Sequence, residues 1–468
     1  MADQDVASIP SLPRRFGFWT ATLVTVASMV GVGILTTSGY IIQATESAST
    51  LLVLWSVGGV LSLMGALTFA ELATRLPHAG GDYVFVRAAY GEGVGFMYGW
   101  ATLLLGFAGP TAVISHAMVV YGLLPLRDWW IRSGGTWGDW VTPTGATIAI
   151  LLLTAVHCRG QRSSSWLQNA TTAVKFALLT TFVITGVTWG GGDWDHFTQG
   201  RRLSEQSGPA CVASLVYVFY GYSGWNASSY LAGEVADTSR TLPRSILSGC
   251  IIVTLLYLAM NVAYVFAIAP DSLRNAEHKQ VEAIAETAAR ALFGSAVSET
   301  LSVLIGLAIL ASVSAYLLTG SRICYAMSVD GLFPRYAGRL QEHRETPAAA
   351  IVTLGLASAG LLWGSYLLAG AADAFASLLN FTAVGLVLLT SLAVSSLFVL
   401  RRRGIRPVDF SVPFYPLPPV LFLLATATLI VFAVRQNPGP TLWGTAAVLS
   451  GGPVYWVWRS VRTQPPDS

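Results

Sequence analysis

Stretches of apolar residues long enough to cross a bilayer recur along almost the whole chain, and this repetition limits what the chain can become. A helix needs roughly 20 mainly apolar residues to span the hydrocarbon core. Stretches of that order run over 16–43, 49–74, 93–124, 143–160, 166–189, 208–233, 244–269, 294–327, 347–369, 373–400, 414–434 and 439–459. They predict an all-α integral membrane protein of about twelve transmembrane helices, the third and eighth long enough to tilt strongly. Charge usage agrees. Only 11% of residues are charged while 53% are hydrophobic, against roughly 25% charged in a globular domain. A surface so poor in charge suits lipid, not water.

Other classes fall away on the same residues. The 46 glycines and 21 prolines lie within apolar runs, where membrane helices tolerate them. The net charge of +3 is small and its basic residues are not clustered, so no nucleic-acid partner is expected. Cys158, Cys211, Cys250 and Cys324 form no CxxC pair, which predicts neither a disulfide framework nor a metal site. The N-terminus begins polar, passes Arg14 and Arg15, and enters an apolar run too long for a cleavable signal.

Eighteen of the 27 arginines and lysines fall in segments on the side of the N-terminus, eight on the other, and Lys175 inside a span. The positive-inside rule then puts both termini in the cytoplasm. An odd number of helices would break the asymmetry.

Two spans carry glycine interruptions. The first has Gly31-Val32-Gly33, the sixth Gly221 and Gly224 within Tyr220-Gly221-Tyr222-Ser223-Gly224-Trp225-Asn226. They lie five helices apart. Matched interruptions in two halves point to an inverted-repeat transporter with a solute site at mid-membrane. Close helix packing through small residues is the other reading of these glycines.

Four motifs in order carry a family resemblance. Phe69-Ala-Glu71 through Arg75, Pro77 and Gly80-Gly81-Asp82-Tyr83 resembles the stretch after the second helix of amino acid–polyamine–organocation permeases. Ser321-Arg322 with Tyr325, Asp330-Gly331, Pro334 and Thr346-Pro347 resembles the signature after their eighth helix. Tyr222-Ser223-Gly224-Trp225-Asn226 with Glu234 and Leu242-Pro243-Arg244 is similar to the sixth-helix pattern of the L-type amino acid transporter branch. Arg406-Pro407, Val412-Pro413 and Tyr415-Pro-Leu-Pro418 match the approach to the eleventh helix. The similarity runs from about residue 16 to 435.

The resemblance implies a LeuT-type fold: a tail over 1–15, inverted repeats over 16–189 and 208–400, two extra helices over 414–459, and a tail over 460–468. It implies amino-acid transport by alternating access in the cytoplasmic membrane. No cofactor is expected.

An amino acid brings a carboxylate and an ammonium into a site of low dielectric. The carboxylate suits backbone N–H groups at a helix N-terminus, which a break at Gly31, Val32 and Gly33 before Ile34 would expose; glycine lets ligand and backbone approach. The ammonium suits carbonyls freed in an unwound stretch at Tyr220, Gly221 and Ser223. Tyr220 takes the position of the family's aromatic gate, where Phe or Trp is common, with ordinary packing as its other reading. Asn226 is expected near the substrate.

Lys175 lies about nine residues, roughly 14 Å, from the end of its helix, too deep to snorkel easily. Intramembrane charges are rare and usually functional. The resemblance places it where sodium-coupled relatives bind the ion, beside the carbonyls of the first break, with Ser312 or Ser314 of the eighth span completing its shell. It could release a proton during transport, coupling uptake to protons, or stay charged in an exchanger or uniporter.

Glu71, Arg75, Asp82, Arg87, Glu234, Arg240, Arg322 and Asp330 are expected near the cytoplasmic face, as state-dependent pairs or as solvated charge. His116 and His157 read as satisfied core histidines. A membrane enzyme would need clustered His, Asp or Glu at one depth, and a channel a repeated selectivity ring, and the sequence has neither. Helices 1, 3, 6 and 8 hold no mid-membrane carboxylate, so neutral L-amino acids are favoured as substrates. Cationic amino acids, polyamines and a transporter-like sensor are the alternatives.

Overall fold

The computed structural model describes residues 14–274, 281, 283–341, 346–405, 409–436 and 438–462. Among them the chain is helical, with two isolated bridges, Phe16 to Val235 and Ser47 to Gly200, and no strand. A bilayer interior demands this, because each backbone group must find its partner within the segment.

In chain order the helices are α1 (Phe18–Met29), α2 (Val32–Thr45), α3 (Ala48–Arg75), α4 (Asp82–Tyr90), α5 (Glu92–Ala101), α6 (Gly109–Arg132), α7 (Val141–His157), α8 (Gln161–Trp189), α9 (Gly208–Tyr222), α10 (Ala227–Tyr230), α11 (Thr238–Ala267), α12 (Ile284–Phe293), α13 (Ser295–Val329), α14 (Ala348–Arg402), α15 (Leu417–Gln436) and α16 (Pro438–Arg462). A π-helical stretch, Thr102–Ala108, joins α5 to α6. Starts are set by local chemistry. The Ser47 hydroxyl accepts from Thr50 N–H to cap α3, and Ser207 accepts from Ala210 N–H to cap α9 ahead of Pro209.

Nine helical stretches among the described residues are long and apolar enough to cross a membrane, and α7 and α9 are shorter apolar helices. Each expected span meets a helix. The ninth and tenth are the two arms of α14, separated at Gly370, whose φ is +78°. The third runs on to Arg132 instead of ending near 124. The eleventh begins at Leu417, three residues later than expected, because the backbone before it turns through Phe414 at φ +54°. Residues 1–13 and 463–468 of the expected tails, and Arg406-Pro407 of the fourth motif, lie outside the described residues.

Within the bundle α1 packs on α11, α11 on α3, and α13 on α6 and α8. Crucially, α2 packs on α9, so the two interrupted spans are neighbours. Where they touch, a Cβ on Gly33 would sit 2.4 Å from the Gly221 Cα. Only glycine permits that approach.

Candidate functional site

The first interruption is narrower and earlier than the glycine pattern suggested. α1 closes at Met29, Val30 and Gly31 leave the helix, and α2 restarts at Val32. Val32, Gly33 and Ile34, expected within or at the edge of the break, therefore form the first turn of α2. The reason is packing: Gly33 is needed for contact with Gly221, not for unwinding. No side chain caps α2. The leading N–H groups of a helix lack intrahelical partners and sit at its positive end, so this turn is suited to a carboxylate.

The second interruption is displaced the other way. Tyr220 and Gly221, expected to be unwound, belong to the last turns of α9. Their carbonyls are already engaged, by Ser223 N–H at 3.0 Å and by the Tyr257 hydroxyl at 3.0 Å. Ser223 does lie in the non-helical stretch, which ends where α10 begins at Ala227. Gly224 makes the turn possible: its φ is +101°, and a Cβ there would fall 2.7 Å from the Ser28 carbonyl carbon. The Tyr257 hydroxyl also lies 2.5 Å from the Met29 carbonyl. With one proton it can serve one break or the other at a time, so the two interruptions share a hydroxyl.

Lys175, buried on α8, meets the first break as expected. Its ammonium donates to Ala27 O at 3.1 Å, to Val30 O, and to Ser312 Oγ at 2.8 Å. Ser312 in turn donates to Val30 O at 2.8 Å. Ser314 is not part of this shell. Two residues further along α13 it faces elsewhere and pairs with His157 Nε2 at 2.9 Å. Both histidines are core groups with partners, His116 Nδ1 lying 3.2 Å from the Tyr366 hydroxyl.

A cleft opens beside the second break, lined by Ser28, Ser223, Asn226, Phe219, Tyr316 and Asp82. Phe219 lines it, whereas Tyr220 does not; the ring expected to gate is buried in packing one position along the helix. Asn226 lines it and donates to Asp82 Oδ2 at 3.3 Å.

Asp82 is the residue that sequence reasoning misplaced. It begins α4, outside the spanning helices, yet is 2% exposed. The glycines before it explain why. Gly80 has φ +110° and a Cβ there would fall 2.6 Å from the Ala326 Cβ; Gly81 has φ +54° and a Cβ there would fall 2.8 Å from the Tyr230 ring. This turn drives the start of α4 inward until Asp82 reaches the cleft. The Gly80-Gly81 pair was the available signal.

Of the other charges expected on this side, Arg240 is exposed on α11, and the following form pairs. Arg322, 1% exposed, binds Glu234 through Nε at 2.8 Å and Nη2 at 3.0 Å. Glu71 takes Arg75 at 2.7 Å, the Val412 N–H at 2.7 Å and Arg401. Arg87 binds Asp330 at 2.9 Å. These charges are paired rather than solvated.

Known proteins match this chain along almost its full length. The family described as "Amino acid permease" matches residues 16–457. The "Large neutral amino acids transporter small subunit 2" of Rattus norvegicus is 28% identical over 456 residues, 96% of this chain and 81% of that protein. The "Asc-type amino acid transporter 1" of Mus musculus is 27% identical over 468 residues, 96% and 82% of the two chains. The "b(0,+)-type amino acid transporter 1" of Mus musculus is 25% identical over 457 residues, 96% and 88%. An all-α bundle with two interrupted helices, a buried lysine on one break and a match over residues 16–457 lead to one assignment: the chain belongs to the amino acid permease family.

Proposed function

We propose that this permease carries neutral L-amino acids across the cytoplasmic membrane by alternating access, without sodium. The observation that carries the proposal is the shell of Lys175: an ammonium bonded to Ala27 O, Val30 O and Ser312 Oγ is a fixed cation where a coupling ion would otherwise be needed. The substrate carboxylate takes the first turn of α2, at Val32, Gly33 and Ile34, with Gly31 beside it. The ammonium takes the stretch around Ser223 and Asn226. Residues 16–189 and 208–400 act as inverted repeats, with 414–459 as the added pair. Both termini face the cytoplasm, as the distribution of arginine supports.

Neutral substrates are supported by the cleft lining, which among the described residues offers Asp82 as its single carboxylate, and that one is already bonded by Tyr98 and Asn226. The name of the rat relative points the same way. The test is uptake into proteoliposomes with a labelled neutral amino acid and a panel of competitors. Leucine or alanine should compete more strongly than lysine, arginine or putrescine. Stronger competition by arginine would reverse the substrate assignment. Protons are a proposed partner.

A further inference from the structure

Asp82 is a buried carboxylate with no cation beside it among the described residues. Its Oδ2 accepts from the Tyr98 hydroxyl at 2.8 Å and from Asn226 at 3.3 Å. Its Oδ1 is buried and has no hydrogen-bond partner. The titratable groups facing it are tyrosines: Tyr98 from α5, Tyr230 from α10, and Tyr316 from α13 across the cleft. The charges nearby are committed elsewhere. On α4 itself Arg87 binds Asp330, which also accepts from Tyr83 at 2.7 Å, and Glu92 lies 3.8 Å from Arg87. On α13 Arg322 is held by Glu234.

An ionised carboxylate buried without a counter-charge is costly. Something must neutralise it, and solvent does not reach Oδ1 in this conformation. A substrate ammonium or a metal ion would need space at that oxygen. A proton needs none.

We propose that Asp82 is a proton-binding site of the transport cycle, protonated at Oδ1 while the cleft is closed and ionised when the cleft opens to the cytoplasm. This rests on the permease reading and its orientation. Chemically the step is one proton from solution onto Oδ1 on closing, and the same proton released on opening.

Burial pushes the Asp82 carboxyl up from 3.8 to about 6, against the lowering effect of the Tyr230, Tyr98 and Asn226 hydrogen bonds. The sign follows by linkage. The closed state holds the proton more tightly than the open, hydrated state. Closing is therefore most favoured below the ordinary carboxylate range and loses that advantage as pH rises through about 6. Between the ordinary carboxylate value and about 6 each pH unit disfavours closing by up to about tenfold, and above about 6 the dependence levels off.

The experiment is uptake of a labelled neutral amino acid by the full chain in proteoliposomes, with internal and external pH varied together from about 5 to about 8. Wild-type uptake should fall as pH rises from about 5 through about 6 and level off above it. Asp82→Asn keeps an oxygen for Tyr98 but carries no charge, so its uptake should not vary with pH over this range. Asp82→Glu should restore the dependence with a displaced midpoint. A lower rate for Asp82→Asn with the wild-type pH profile intact would mark a merely structural residue and overturn the proposal. If Asp82→Asn fails to insert, Asp82→Glu decides: an unmoved midpoint overturns the proposal, a displaced one supports it. Transport that is robust but flat with pH in wild-type protein overturns this inference alone. Absence of transport for every amino acid tested overturns the permease reading beneath it.

Discussion

Lys175 and Ser312 converge on one carbonyl oxygen. Both donate to Val30 O, and 2.8 Å separates the ammonium nitrogen from the hydroxyl oxygen. Val30 is the residue at which the first helix stops, so its carbonyl has lost its helical partner and accepts from a side chain on α8 and another on α13. The non-helical backbone is thereby fixed from two directions. This gives the break a defined shape and a positive charge at its edge.

Removing the hydroxyl separates the two serines that the sequence could not tell apart. Ser312→Ala leaves Val30 O and the ammonium each short of one partner, a loss of about 1–3 kcal/mol. Transport should fall roughly tenfold or more if that loss distorts the break. Ser314→Ala touches His157 instead and should leave the sodium and substrate dependence of transport unchanged. Equal transport defects in the two variants would contradict the assigned shell.

A side chain at Gly33 tests the contact between the two interrupted helices. Its Cβ would lie 2.4 Å from the Gly221 Cα, backbone that cannot step aside cheaply. Gly33→Val should insert in the membrane and lose uptake. Gly31→Ala, whose Cβ would meet nothing nearer than 3.9 Å, should be milder. Normal uptake by Gly33→Val would exclude the close approach.

The Glu234–Arg322 pair is buried on both sides. Breaking one partner of such a pair strands a charge, at a cost of about 3–5 kcal/mol. Glu234→Gln should lower the melting temperature of the detergent-solubilised protein by several degrees. Glu234→Gln with Arg322→Met should recover part of the loss. A double variant less stable than Glu234→Gln alone would mean that Arg322 matters through its bond to Leu318 O and not through the pair.

How much of this was legible in the sequence follows from physical range. Spans are local properties, because twenty apolar residues in a row need no partner to be recognised, and each expected span meets a helix. Lys175 was legible for the same reason: a charge at that depth contradicts its own neighbourhood. The limits of the breaks were not, because they depend on which glycines are consumed by packing. Gly33 and Gly221 are used against each other, so the break falls on Val30, an ordinary apolar residue, and Gly31. Choosing Ser312 over Ser314 required the rotation of α13. Asp82 was hidden because its burial depends on a turn wedged between Ala326 and Tyr230, residues far away in sequence.

Sodium independence is proposed because an ammonium occupies the shell of Ala27 O, Val30 O and Ser312 Oγ. A sodium ion beside Lys175 would meet like-charge repulsion in a medium of low dielectric. The measurement is uptake of a labelled neutral amino acid into proteoliposomes with sodium fully replaced by choline. Wild-type protein should show the same initial rate in both salts, and Lys175→Ala a severe loss in both. Strict dependence of wild-type uptake on sodium would contradict the proposal.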